Sequence, residues 1–341
     1  MPAAVLHAWV LWIRHWLYDI GVFSSQTGAL PTIALGNLTA GGTGKTPHVL
    51  LVVEAMEAIL GRGHVAILSR GYGRKTSGYR EVHVGDSAAQ TGDEPLMMKR
   101  KLPEVVVAVC GDRLTGLERI AADHPEVRWV VLDDALQHRR LRPTLRLLLV
   151  DATQPMGKDM LIPAGKLRDL KSRAEDAEAT LVTRLPSNAE VPLAPEKIQS
   201  LGISGDMPTF FSAMEMGSEL RDLAPARTLV ICAIAQPQRF TDAVARASSH
   251  SVAITYPDHH AFTPEHVQEW KRQMKKNNLD ILVTTEKDWV RLQDIQNHMN
   301  GLNVQTVSME AKWLPKSDFH PWLQAAVEKK SQVWSANPGG L

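Results

Sequence analysis

The stretch TIALGNLTAGGTGKTPHVLLVVEAM, residues 32–56, holds residue types suited to gripping phosphate. Gly41, Gly42 and Gly44, with Thr43 among them, let backbone N–H groups converge on phosphate oxygens. Lys45 can reach the β and γ phosphates of a nucleotide, and Thr46 can hold Mg²⁺. The spacing is that of a P-loop, G-x-x-x-x-G-K-[ST], except that Thr39 stands where the pattern opens with glycine. Thr39 must then accept whatever dihedral the turn needs. A glycine turn without a ligand is the alternative, and Lys45 and Thr46 in register weigh against it. A second stretch, RWVVLDDALQHRRLR at 128–142, has the form of a Walker B element, an apolar run ending in carboxylates. Beside a P-loop, Asp133 or Asp134 becomes a metal ligand; alone, either is a turn residue. Arg139, Arg140, Arg142 and Arg146 form either a solvated face or a grip on a substrate phosphate.

These residues need strands and helices to hold them. TIALGNL, VAILSR, VVVAVCG, WVVLDD, LRLLLVD and ATLVTR read as buried strands ending in polar or Gly-rich loops, alternating with helical patterns. The pattern predicts an α/β fold, a P-loop NTPase-type and mostly parallel sheet with flanking helices. A Pro- and Gly-containing stretch over 186–225 reads as a boundary, and TLVICAIA, HSVAITYP, LDILVTT and LNVQTVSM as a second, smaller α/β unit. The expected division is an N-terminal helix over 1–23, a P-loop domain over 24–225, the smaller unit over 226–311, and a tail over 312–341 that could pack back on the first domain.

Length and composition set limits. The 341 residues suffice for about two domains, and 44% hydrophobic against 22% charged residues fits a folded chain. Lys and Arg total 38 against 37 Asp and Glu, so no global field draws in nucleic acid, and an anionic partner must be read by a local patch. Cys110 and Cys232 lie in separate apolar runs and read as reduced, buried thiols. The first residues, MPAAVLHAWVLWIRHWLYDIGVF, are interrupted by Arg14 and His15, short of the roughly 20 apolar residues a spanning helix needs. A basic start and a small-residue cleavage site are also missing. On a helical wheel His7, Arg14, His15 and Tyr18 fall together, opposite Val5, Trp9, Trp12, Ile13, Trp16 and Ile20. The segment either lies in a membrane interface through its tryptophans or docks its apolar side on the protein's own core.

The ordered set GNLTAGGTGKTP, SRGYGR, GDEP, GDR, LDDALQHR, PAGKLRD, DHHAF and TTEKD, running from about residue 5 to residue 290, resembles the tetraacyldisaccharide 4′-kinases of lipid A biosynthesis. In that family T-x-G-G-T-G-K-T is the usual loop, so Thr39 looks like a family trait. The resemblance implies transfer of the ATP γ-phosphoryl group, with Mg²⁺, to the 4′-hydroxyl of a tetraacylated disaccharide 1-phosphate. The setting it implies is the cytoplasmic face of the bacterial inner membrane, with peripheral or monotopic attachment. A lipid substrate then gives the Trp-rich helix a membrane surface to lie on; no protein partner is implied.

The resemblance also assigns residues. Asp93 of TGDEP falls where the family has its proposed catalytic carboxylate, and His259 of PDHHAF matches the histidine thought to work with it. A positioned carboxylate can orient a sugar hydroxyl and take its proton. From the residues alone Asp93 reads equally as the N-cap of a helix with Pro95 in its first turn, and His259 as a loop residue before a helix capped by Thr263. Arg113 of CGDR falls where it would stabilise charge on the transferring group, Gln137 and His138 would line the site, and Lys287 of TTEKD would reach a phosphate. TTEKD is also a capping box of Thr285 with Asp288. One departure stands out: the family commonly has L-R-E-P with the Glu proposed near the metal, where this chain has Asp169 and Leu170. Aspartate is one methylene shorter, so direct coordination needs a backbone shift or a bridging water.

Two other functions fit part of the pattern. A soluble P-loop kinase for an ordinary metabolite would fold the Trp-rich helix against its body and act on water-soluble sugars. A membrane-recruited regulatory ATPase would respond to a protein partner and leave Asp93 and His259 without a task.

Overall fold

The computed structural model describes residues 2–336; the last five residues of the expected tail lie outside them. Among the described residues thirteen strands form two sheets. The first eight are β1 Thr32–Gly36, β2 Val65–Ser69, β3 Arg80–Glu81, β4 Val106–Val109, β5 Trp129–Asp133, β6 Leu145–Asp151, β7 Ala179–Leu185 and β8 Thr209–Met216. They are followed by β9 Arg227–Cys232, β10 His250–Thr255, β11 Ile281–Thr285, β12 Val304–Val307 and β13 Met309–Trp313. The large sheet runs β13-β8-β7-β6-β1-β5-β2-β4-β3 and the small one β10-β9-β11-β12. Among the described strands the edge pairs β13·β8 and β3·β4 are antiparallel and the rest parallel.

The apolar runs become central strands because helices cover both faces of the large sheet. Every residue of β1 is buried. In the helix Lys45–Leu60, Val49, Val52, Val53 and Met56 recur at i, i+3, i+4 and i+7 and are fully buried against one face. Each such side chain contributes about 1.5–3 kcal/mol by leaving water. The helix Arg113–Asp123 covers the other face with Leu117 and Ile120. Between β1 and β2 in sequence the chain crosses over β5, so β1 lies between β5 and β6. The loop after β1 therefore opens at a crevice between diverging connections, where open α/β sheets bind ligands.

Strands fall within both expected boundary regions. The stretch over 186–225 contains β8, an eight-residue strand whose Phe210 and Phe211 are buried. Its prolines and glycines flank the strand instead of breaking it. The small sheet ends with β12 at Val307, and β13, starting at Met309, returns to the large sheet two residues before residue 311, the expected end of the second unit. The helix Phe319–Ala336 then seats Phe319, Leu323 and Val327 in the core beside the helix Lys45–Leu60. The small unit is thus an insertion between two paired strands.

The N-terminal helix Pro2–Asp19 docks by its polar side. His7 Nδ1 meets the Ile162 carbonyl at 3.0 Å, and Arg14 donates to the Gln137 carbonyl at 3.0 Å. Arg139 lies over the Tyr18 ring, 5.1 Å from its centroid. The apolar side faces outward, with Trp9, Trp12 and Trp16 60%, 54% and 47% exposed. Docking of that side on the protein's own core is thereby excluded in this structure. Among the described residues no helix is long and apolar enough to cross a membrane.

Candidate active site

The loop after β1 takes its shape from two glycines at positive φ, Gly41 at 108° and Gly44 at 81°. Thr39 is not among the positive-φ residues, so its side chain meets no steric objection; its carbonyl accepts from Asn37 Nδ2 at 2.6 Å. This explains physically why a threonine can open the loop. Gly44 ends at the helix start, where its carbonyl meets His48 Nδ1 at 2.7 Å. A carbonyl only accepts, so Nδ1 carries the proton and Nε2 accepts from Ser212 of β8 at 2.7 Å. Complete burial pushes the His48 pKa down to about 4, which keeps the ring neutral in this bridge.

Parallel pairing of β1 and β5 puts Leu35 beside Asp133, so the carboxylate pair stands at the strand end next to the loop. Ser69 donates to Asp133 Oδ2 at 2.9 Å, while Oδ1 is buried with no hydrogen-bond partner among the described residues. Burial, then the nearby Glu94 and Asp134 charges, push Asp133 up to about 7. Such an orphaned, electron-rich oxygen fits a cation. Asp134 differs. It sits at φ 49°, is gripped by both ends of the Arg168 guanidinium, and lies 3.8 Å from Lys45 Nζ. Burial raises its pKa, but the Arg168 hydrogen bonds and the Lys45 charge outweigh this and leave it low. Lys45 also donates to Asn37 Oδ1 at 3.3 Å.

One cavity of about 1230 Å³ joins this loop to residues of both units. Asp93, the first residue of the helix Asp93–Lys101, and His259, from the loop after β10, meet there, Oδ2 to Nδ1 at 3.0 Å. The N-cap is Gly92 and not Asp93, whose Oδ1 accepts from the Glu94 N–H at 2.9 Å. Lys287 Nζ reaches His259 Nε2 at 3.3 Å, so the ring offers its Nδ1 proton to Asp93. His259 holds φ 59°, a left-handed conformation costing of order 1–3 kcal/mol that clusters at functional sites. Burial pushes the Asp93 pKa up, but the His259 hydrogen bond and the Lys287, His259 and Arg291 charges bring it below the usual carboxylate range. His259 is raised, first by its bond to Asp93.

Gly92 holds this corner. It has φ 94°, and a Cβ there would lie 3.0 Å from the Tyr72 carbonyl. Gly92→Ala is expected to lower stability by about 1–3 kcal/mol and to cut turnover by displacing Asp93. An unchanged urea midpoint would show that the turn tolerates a side chain.

The remaining sequence-predicted residues separate into two groups. Arg113, Gln137, His138 and Lys287 line the cavity. Arg113 Nε is buried without a partner among the described residues, as is His138 Nε2. Lys287 is engaged by Glu94 at 3.0 Å and Asp258 at 3.3 Å as well as His259, and Thr285 caps its helix by accepting from the Asp288 N–H. Asp169 stands apart: it does not line the cavity, and it pairs with His15 of the N-terminal helix at 2.7 Å, both buried. The Arg139 cluster is also spoken for: Arg139, Arg140 and Arg146 pair with Asp19, Asp112 and Glu178. Sequence analysis missed four contributors. Arg168 clamps Asp134. Arg184, at φ 61°, bonds the Gly42 carbonyl and Asp151. Arg291 lies 3.4 Å from Asp93, and Tyr72 packs its ring edgewise on His259 at 5.2 Å. Tyr72 belongs to SRGYGR and Arg168 to PAGKLRD, so both were within reach of a motif reading; Arg184 and Arg291 lie outside those motifs.

A model of the family described as tetraacyldisaccharide-1-P 4'-kinase, LpxK, matches residues 1–328. The chain is 34% identical over 313 residues to the tetraacyldisaccharide 4'-kinase of Parabacteroides distasonis, covering 86% of this chain and 84% of that protein. It is 32% identical over 313 residues to that of Flavobacterium psychrophilum, covering 88% of each. A crystal structure of LpxK from Aquifex aeolicus, an "apo" form in complex with ATP, superimposes with a TM-score of 0.72 at 25% identity. It covers 96% of this chain and 97% of that one. Likeness that runs through the glycine loop, both sheets and the returning C-terminal strand is not a shared module, and the chain belongs to the tetraacyldisaccharide-1-P 4'-kinase family.

Proposed function

We propose that this protein transfers the γ-phosphoryl group of ATP to the 4′-hydroxyl of a tetraacylated disaccharide 1-phosphate. The observation that carries the reading is that the glycine loop and the Asp93–His259 pair line one cavity. Backbone N–H groups of Gly41–Lys45 and the Lys45 ammonium bind the triphosphate. Asp93, held ionised and aimed by His259, accepts the acceptor hydroxyl's proton as its oxygen bonds to the γ phosphorus and the bond to the ADP oxygen breaks. Arg113 and Lys45 offset charge on the transferring group.

Mg²⁺ fits the same site: Thr46 and Asp133 would hold it, Asp133 through its orphaned oxygen, with Asp134 beside them under Arg168. When bound it supplies neutralisation of phosphate charge. Purified protein given labelled ATP, Mg²⁺ and a disaccharide monophosphate lipid should yield a bisphosphorylated lipid, and no product on water-soluble sugars. Transfer to the sugars with none to the lipid would sink the reading in favour of a soluble metabolite kinase.

The exposed tryptophans extend it to a membrane surface. Indole rings favour the headgroup zone, and a helix with its polar side on the protein and its apolar side outward suits peripheral attachment at the cytoplasmic face of the inner membrane. Replacing Trp9, Trp12 and Trp16 together with serine is expected to abolish co-flotation with anionic vesicles; flotation at the wild-type level would remove the membrane proposal.

A further inference from the structure

Among the described side chains of the N-terminal helix His15 alone is buried outright, 4% exposed, and its partner Asp169 is 2% exposed. Asp169 accepts from Nε2 at 2.7 Å, and Arg139, which only donates, meets Nδ1 at 3.3 Å. The same guanidinium reaches the His15 carbonyl at 3.3 Å and Asp19 at 2.7 Å. A helix that needed only to hang on a membrane would not require so fixed a ring. What distinguishes Asp169 is its neighbour in sequence. Arg168 clamps Asp134 and donates to Asn37, at 2.9 Å to its carbonyl and 2.7 Å to Oδ1. Asn37 Oδ1 is the atom that also receives Lys45. A second path runs in parallel: Arg14 donates to the Gln137 carbonyl, and Gln137 Nε2 donates to the Asn37 carbonyl at 2.8 Å.

We propose that the N-terminal helix is a positioning element of the phosphoryl-transfer site, with His15 acting through Asp169 to fix the backbone that aims Arg168 at Asp134 and Asn37. His15 is a positioning residue, remote from the reacting atoms. The aspartate that departs from the family's usual Glu works here as a strut. Lys45 and Asp134 then keep their geometry only while the helix is seated, which links attachment at the lipid surface to turnover. The inference rests on the kinase reading of the loop.

The test is steady-state kinetics on lipid acceptor dispersed in detergent micelles, where vesicle attachment has no part. His15→Ala is expected to lower kcat by about 10-fold to 10²-fold, as misplacement by a fraction of an ångström does, with the acceptor KM changing far less. His15→Gln, which keeps an N–H donor for Asp169, should recover much of the loss. On an Arg168→Ala background, His15→Ala should cost almost nothing further, because the strut has nothing left to aim. Amide hydrogen exchange across residues 37–46 should rise in His15→Ala without any nucleotide present. An undiminished kcat in folded His15→Ala, or full additivity with Arg168→Ala, overturns the proposal. Should His15→Ala fail to fold, the near-isosteric Asp169→Asn goes through the same cycle with the same criteria. Wild-type protein that makes no bisphosphorylated lipid would instead sink the kinase reading, and this inference with it.

Discussion

Asp93→Ala should cut turnover by about 10²- to 10⁴-fold, the span expected when a positioned base is lost, while ATP still binds. In the proposed reading the nucleotide binds on the glycine loop, and Asp93 stands on a different helix from the one that follows that loop. His259→Ala should depress turnover less, since Arg291 and Lys287 remain beside the carboxylate. The double variant should lose little more than the worse single one, because His259 works through Asp93. Full additivity in a double-mutant cycle would mean that the two act separately. The pH profile gives an independent check with a definite sign. Burial pushes the Asp93 pKa up and the His259 bond is the first influence pulling it down. Removing His259 therefore raises it, and the acid limb of kcat/KM should move to higher pH. A limb that stays put or moves down would show that His259 does not set the ionisation of the base.

Lys45→Ala is the second large effect. The ammonium is held by Asn37 Oδ1 and the Asp134 carboxylate within the cavity, so it is aimed before any nucleotide arrives. Its loss should lower kcat/KM by about 10²- to 10³-fold, comparable to removing one preorganised donor from developing charge. Lys45→Arg should not restore it, because a planar fork in place of a compact point charge has to fit between Asn37 and Asp134, where Arg168 already lies. Steady-state rates with equilibrium binding of ATP measure both parts. Retention of more than about a tenth of wild-type turnover in Lys45→Ala would separate the lysine from transition-state charge.

Much of this protein was legible without coordinates wherever chemistry is written in adjacent letters. The loop from Thr39 to Thr46 follows an apolar strand and opens a helix, and each neighbour is local. The apolar runs of β1, β2 and β4–β7 announced a buried parallel sheet because such strands need no polar alternation. Helix caps were readable for the same reason at Thr285, less well at Asp93, where the left-handed Gly92 took the cap position. The motif order carried His259 to Asp93 by resemblance to a family, since nothing within either stretch points 166 residues away.

The sequence by itself determined the phosphate loop, the carboxylates at the end of β5, the strand types and the two-sided character of the first helix. Only the tertiary structure decided which side of that helix faces the protein, that Asp169 pairs with His15 away from the cavity lining, and that Arg168, Arg184 and Arg291 stand at the site. The physical reason is range. Backbone dihedrals, strand burial and capping are set by a few consecutive residues. A long arginine finds its carboxylate through space, and whether an apolar helix face is covered depends on what the rest of the chain brings to it.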